Sequence, residues 1–195
     1  MAVLILDNFD SFTYNLADYI ACLGYPVEVV RNDTLDLTNL DHFTHIVLSP
    51  GSGLPENAGC MKELILNQIG KKPILGVCLG MQALAQYFGE TLYNLQQVRH
   101  GIQMKCTHTS NNRLFQGVDE SFLVGLYHSW GVNIRNEKLK TIALSEESVV
   151  MAVSCDEMLC FGVQFHPESV LTPDGKRILQ NFLEIKVANH FGHRD

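Results

Sequence analysis

The sequence predicts an α/β fold: an open, mostly parallel central sheet with helices on both faces and an antiparallel extension. Three observations predict it. In the first half, short runs that are apolar throughout alternate with segments whose apolar residues recur every three or four positions, the marks of buried parallel strands and of helices laid against them. Glycine follows each of those helical segments, at Gly24, Gly70 and Gly89, where a helix stop favours it. The second half drops this rhythm for apolar runs separated by short polar turns, which suits antiparallel strands.

Val3–Leu6 is the first strand. Asp10 is placed to cap the next helix, with Phe9 and Tyr14 as a hydrophobic staple. Phe12, Leu16, Tyr19, Ile20 and Leu23 form that helix's apolar face. Val27–Val30 reads as a second strand and His45–Leu48 as a third, ending in the loop Ser49-Pro50-Gly51-Ser52-Gly53. Met61, Leu64, Ile65 and Ile69 mark a second helix, Pro73–Val77 a fourth strand and Leu79–Phe88 a third helix. Ile102–Thr107, Phe122–Tyr127, Thr141–Leu144, Val149–Val153 and Leu159–Phe165 read as the later strands. Thr172 and Pro173 look like an N-cap and first-turn pair opening a last helix, whose Ile178, Leu179, Phe182, Leu183 and Val187 face the core.

The 195 residues, 46% of them apolar and 18% charged, suit one domain spanning 1–195 with a real core. Fourteen basic against twenty-one acidic residues give a net charge of −7, which argues against nucleic acid or an anionic membrane surface as partner. The longest uncharged stretch, Pro73–Gly89, is interrupted by glutamines and glycines and is too short to span a bilayer. No basic residue precedes Arg31, so no export signal is read and a cytoplasmic location is expected. The six cysteines form no C-x-x-C pair and the eight histidines show no ligand spacing, so neither a metal nor a cofactor is expected.

In an open α/β sheet, ligands bind at the carboxyl ends of the strands. Three segments there carry unusual residues. Gly76-Val77-Cys78-Leu79-Gly80 has the form of a nucleophile elbow, G-x-S-x-G, with sulfur replacing oxygen. It sits between an apolar strand and a helix, so Cys78 would project at a helix N-terminus, where free N–H groups and the dipole favour a thiolate. Alone, the segment also fits a buried structural cysteine. His166 and Glu168, in GVQFHPES, lie two apart on an extended segment and can face the same way, so the carboxylate can fix the imidazole's tautomer. Together with Cys78 they would complete a Cys–His–Glu triad. The glycine loop Gly51-Ser52-Gly53 can offer backbone N–H groups which, with that of Leu79, would hold an oxyanion.

These segments, read together, resemble the class I glutamine amidotransferases. Within that family the chain is similar to component II of anthranilate synthase and of aminodeoxychorismate synthase. The opening DNFDSFTYNL points to that branch, and SPGSGLPENAG, GVCLGMQ, YHSW and GVQFHPES follow in the family's order over nearly the whole chain. The resemblance implies that Cys78 is the nucleophile, His166 the general base and acid, and Glu168 its orienting partner. It implies that Gln82 holds the glutamine substrate and that Ser129 and Trp130 bind its α-amino and carboxylate end. It also implies ammonia transfer to a separate chorismate-binding synthase subunit, which a chain of this length would not contain.

The chain departs from the family's usual pattern in places. It has Ser52 where the loop commonly has proline, Met81 where the elbow helix often has histidine, Leu126 and Trp130 flanking Tyr127-His128-Ser129, and Ile102 after His100-Gly101. None of these is a triad position. Alternatives left open at this stage are a glutaminase component with another acceptor, a γ-glutamyl hydrolase, and a non-catalytic regulatory subunit of the same fold.

Overall fold

The computed structural model describes residues 2–109 and 111–187. Nine strands form one sheet: β1 (Ala2–Asn8), β2 (Val27–Arg31), β3 (Phe43–Gly51), β4 (Ile74–Val77), β5 (Thr91–His108), β6 (Ser121–Asn133), β7 (Lys140–Ser145), β8 (Val150–Cys155) and β9 (Cys160–Val163). Their order is β2-β1-β3-β4-β9-β8-β7-β5-β6. The first five in that order run parallel, and the remaining pairings are antiparallel. The helices are α1 (Thr13–Cys22), α2 (Met61–Gln68), α3 (Leu79–Tyr87) and α4 (Gly175–Leu183). None of them is long and apolar enough to cross a membrane.

The parallel strands are apolar throughout because both faces are covered. Val3, Ile5, Val47, Leu75 and Val77 pack against Leu16 and Ile20 of α1 and Ile178, Leu179 and Phe182 of α4. Their neighbours Leu4, Leu6, Ile46, Leu48 and Ile74 pack on the other side against Met61 and Leu64 of α2 and Leu84 of α3. Strand alternation thus sends successive side chains into two cores.

Several local readings change. The Phe9–Tyr14 staple does not form: Phe9 is 58% and Tyr14 66% exposed, and Phe9 takes a positive φ of 60° with Arg31 over its ring. Asp10 is not the helix cap. Its carboxylate accepts from the Phe12 N–H at 2.8 Å, tightening the turn before α1, while Asp7 accepts from the Thr13 hydroxyl at 2.8 Å. The last helix begins at Gly175, after Thr172 and Pro173, and Val187 lies beyond its end, exposed. β9 stops at Val163, and β5 begins at Thr91, well before Ile102. The early part of β5 is largely exposed and is held by backbone pairing with β6. It therefore lacks an apolar pattern to read.

The parallel strands β3, β4 and β9 are direct neighbours, so their carboxyl ends meet. Close packing there requires two glycines. A Cβ on Gly76 would stand 2.4 Å from the Gly80 carbonyl carbon, and one on Gly80 would stand 2.5 Å from the Leu48 carbonyl oxygen. Gly80→Ala should therefore lower stability by about 1–3 kcal/mol, since the backbone it meets cannot yield. Urea unfolding would show a lower midpoint with an unchanged slope; a loss below about 0.5 kcal/mol, the range of a neutral surface change, would contradict this packing.

Candidate active site

The end of β4 and the start of α3 deliver Cys78. Its N–H donates to the Val163 carbonyl at 2.8 Å, tying the elbow to the end of β9. Its φ of 51° and ψ of −101° lie outside the regions L-residues favour. The glycines on either side permit the turn, and Cys78 becomes the N-cap of α3, 6% exposed. The Leu79 N–H is in the first turn, where a helix offers no internal acceptor.

His166 follows β9 by three residues. Its N–H donates to the Gly125 carbonyl of β6 at 3.1 Å, and its carbonyl accepts from the Thr172 hydroxyl at 2.7 Å. That hydroxyl also accepts from the Gly125 N–H at 2.9 Å. Thr172 thus fixes the histidine loop to β6, which is why it is not free to cap a helix. The ring's Nδ1 lies 2.6 Å from Glu168 Oε1, and both side chains are almost wholly buried. Phe12 and Tyr127 pack edge-on against the ring, with centroids 5.2 and 4.8 Å away.

The other ring nitrogen, Nε2, is buried and makes no aligned hydrogen bond, as is often so before substrate binds. Burial would lower the ring's proton affinity. The Cys78 sulfur and the Glu168 carboxylate outweigh it and raise the pKa from 6.5 to about 10. The arrangement favours an imidazolium beside sulfur and carboxylate.

Gly51 closes β3, and Ser52 and Gly53 stand exposed at the loop's tip. Asn8 holds this loop: its N–H donates to Ser49 Oγ at 2.8 Å and its side-chain amide to the Ser49 carbonyl at 2.9 Å, while Asn32 donates to Asn8 Oδ1 at 3.0 Å. A Cβ on Gly51 would lie 2.7 Å from the Leu79 side chain. The glycine loop and the elbow are therefore in contact.

Gln82, on the first turns of α3, is buried instead of lying on an exposed helix face. Its Nε2 donates to the Trp130 carbonyl at 3.4 Å and to Gln164 Oε1 at 3.3 Å. Trp130 meets Gln82 through its backbone, and its half-buried ring is not a core aromatic. Ser129 is half-buried beside it on β6. The structure brings Cys78, His166, Glu168, Leu79 and Gly51 to one rim of the sheet, and Gln82 with the Trp130 backbone adjoins them. For the Ser129 hydroxyl there is no hydrogen bond among the described residues.

Sequence reasoning missed Gln164, Phe12, Tyr127 and Thr172. Gln164 had a signal: a glutamine closing an apolar strand, two residues before His166 and so facing the same way. Phe12 was read only as a helix-face residue. Of the departures from the family's pattern, Met81 is fully buried and lies against Gly162, where a Cβ would meet its side chain at 2.8 Å, so it fills core space. Ile102 likewise packs against the core.

Comparison with known proteins shows the family. The model of the family "Glutamine amidotransferase class-I" matches residues 4–185. The anthranilate synthase component 2 of Lactococcus lactis is 40% identical over 186 residues, covering 93% of each chain. The aminodeoxychorismate/anthranilate synthase component 2 of Bacillus subtilis is 36% identical over 188 residues, covering 93% of this chain and 95% of that one. A crystal structure of a glutamine amidotransferase from Thermotoga maritima superposes with a TM-score of 0.76 over 94% of this chain and 96% of its own; at 17% identity the likeness is one of fold. The chain belongs to the class-I glutamine amidotransferase family.

Proposed function

We propose that this chain is a glutaminase subunit that hydrolyses glutamine to glutamate and ammonia and passes the ammonia to a chorismate-using synthase subunit. The observation that carries the chemical part is the buried 2.6 Å His166–Glu168 pair beside the cysteine of a strained elbow. The acceptor part is supported by the names of the relatives and by the DNFDSFTYNL segment, whose Phe12 rests on the His166 ring.

In the proposed reaction the Cys78 thiolate attacks the side-chain amide carbon of glutamine. The oxyanion is held by the Leu79 N–H and a glycine-loop N–H. His166 gives its proton to the departing nitrogen, ammonia leaves, and a γ-glutamyl thioester remains on Cys78. Neutral His166 then takes a proton from water as the hydroxyl adds to the thioester carbon. Collapse expels the thiolate and frees glutamate, with Glu168 steadying the imidazolium throughout. Gln82 directs both hydrogens of its amide inward, leaving its carbonyl oxygen to accept from the substrate amide.

Phe12 and Tyr127 cover the ring, and the Asp7–Ser11 segment that leads into Phe12 and the glycine loop that touches Leu79 are the elements whose movement would admit glutamine. Exposed Phe9, Tyr14 and Val170 lie on the segments that bear Phe12 and Glu168. A synthase seated on them would control that opening. The direct test is ammonia release from glutamine, measured alone and with chorismate and a candidate synthase. We expect low activity alone and anthranilate or aminodeoxychorismate formation in the complex; full activity without any partner would contradict the gating.

Phe9→Ser with Val170→Asp should weaken synthase association by about tenfold or more, read by titration, and leave alkylation of Cys78 unchanged. Unaltered association would move the interface elsewhere. For pH, His166 binds its proton more tightly folded than unfolded. Its contribution to stability is therefore complete below pH 6.5 and fades as pH rises towards 10. Glu168→Gln removes one cause of the raised affinity, so the melting temperature should lose less across that window than in the unaltered protein. Identical pH profiles of the melting temperature would contradict the pairing.

A further inference from the structure

We propose that Gln164 is a further catalytic residue: its side-chain amide donates a hydrogen bond to the Cys78 sulfur and stabilises the thiolate that attacks glutamine. The inference rests on the reading of Cys78 as the nucleophile. Its basis is a chain of contacts that the triad does not use. Gln164 Nε2 lies 3.4 Å from Cys78 Sγ, Gln164 Oε1 accepts from Gln82 Nε2 at 3.3 Å, and the same Gln82 nitrogen donates to the Trp130 carbonyl at 3.4 Å.

The fold makes this pairing. Val77 and Val163 are register partners on the parallel strands β4 and β9. Cys78 and Gln164 each follow by one residue, and both strands are pinned there, by Cys78 N–H to the Val163 carbonyl and Gln164 N–H to the Met151 carbonyl, each at 2.8 Å. Gln164 has no exposure to solvent. A buried primary amide needs partners for both ends, and these ends meet the sulfur and Gln82. An amide N–H gains little from a neutral thiol, a weak acceptor, and much more from an anion. The contact therefore favours the charged form of the nucleophile.

The same chain links substrate to nucleophile. Gln82 is the residue placed to hold glutamine, and its Nε2 fixes the carbonyl end of Gln164. A substrate that orders Gln82 thereby orders the donor aimed at sulfur. Imidazolium and amide, both on the chain that leaves β9, and the N-terminus of α3 then surround the sulfur that the end of β4 delivers.

The test is the pH dependence of iodoacetamide alkylation of Cys78, located by peptide mass spectrometry, in the full chain without partner. Gln164→Met keeps the bulk and removes both donors. Gln164→Glu keeps the shape and sets a carboxylate oxygen where the donor was. Loss of one hydrogen bond to an anion should raise the alkylation midpoint of Gln164→Met by about one pH unit. The limiting rate at high pH should rise about threefold, because a more basic thiolate is more nucleophilic. Gln164→Glu should shift the midpoint further in the same direction. Gln82→Met, which leaves Gln164 present but unanchored, should shift it by less than Gln164→Met. Melting temperatures identify the variants that fold, and each folded variant decides the matter. A midpoint unchanged in a folded Gln164 variant would overturn the proposal. If Cys78 of the unaltered protein resists the reagent at every pH, with synthase and chorismate present as well as alone, the reading of Cys78 as the nucleophile fails instead.

Discussion

The structure turns on the backbone of Cys78. A residue with a side chain at φ 51° and ψ −101° carries a strain of about 1–3 kcal/mol, which persists only where its surroundings over-determine it. Here they do. The helix after the elbow lies so close to the strands before it that Gly76 meets Gly80, and Gly80 meets the Leu48 carbonyl of β3, with no room for a methyl group. The hydrogen bond from the Cys78 N–H to Val163 fixes the third side. The backbone that carries the sulfur is thus held at the mouth of a helix by packing among three parallel strands.

The same strand neighbours position the other groups. β9 lies beside β4, so the chain that leaves it carries Gln164 and His166 past the sulfur. β3 lies on the other side of β4, so its glycine loop reaches the first residue of α3. The antiparallel extension returns through β6, where Gly125 anchors His166 by two routes, directly and through Thr172. A buried imidazole would ordinarily resist a proton. Placed between a sulfur and a carboxylate that is itself out of water, it retains one to high pH.

Much of this was legible in the sequence. Strands apolar throughout gave the parallel half, and glycines at helix ends gave its punctuation, because burial on both faces leaves an unambiguous composition. The elbow was legible because its glycines are spaced by steric necessity. His166 and Glu168 do meet, but across a turn closed by the Ser169 N–H on the His166 carbonyl at 3.2 Å, not along the extended segment that their spacing suggested. The early part of β5 was not legible, since TLYNLQQVRHG is held by backbone pairing that leaves no side-chain pattern. Nor was the fate of Asp10, Phe9 or Thr172. Each fitted a local helix-start rule, and each went elsewhere: Asp10 into a local turn at Phe12, Thr172 to Gly125 and His166, and Phe9 to the surface beneath Arg31. The buried position of Gln82 and its bond to Gln164 needed the third dimension, because helix periodicity alone does not say which polar residue turns inward.

The central claim is that glutamine is opened by sulfur. Rapid acid quenching of the protein during glutamine turnover in the presence of its synthase, followed by peptide mass spectrometry, tests it most directly. The account predicts a γ-glutamyl adduct on the peptide bearing Cys78, formed as ammonia is released and discharged by hydroxylamine. Ammonia release at full rate with no such adduct, and with Cys78 replaced by alanine, would contradict it.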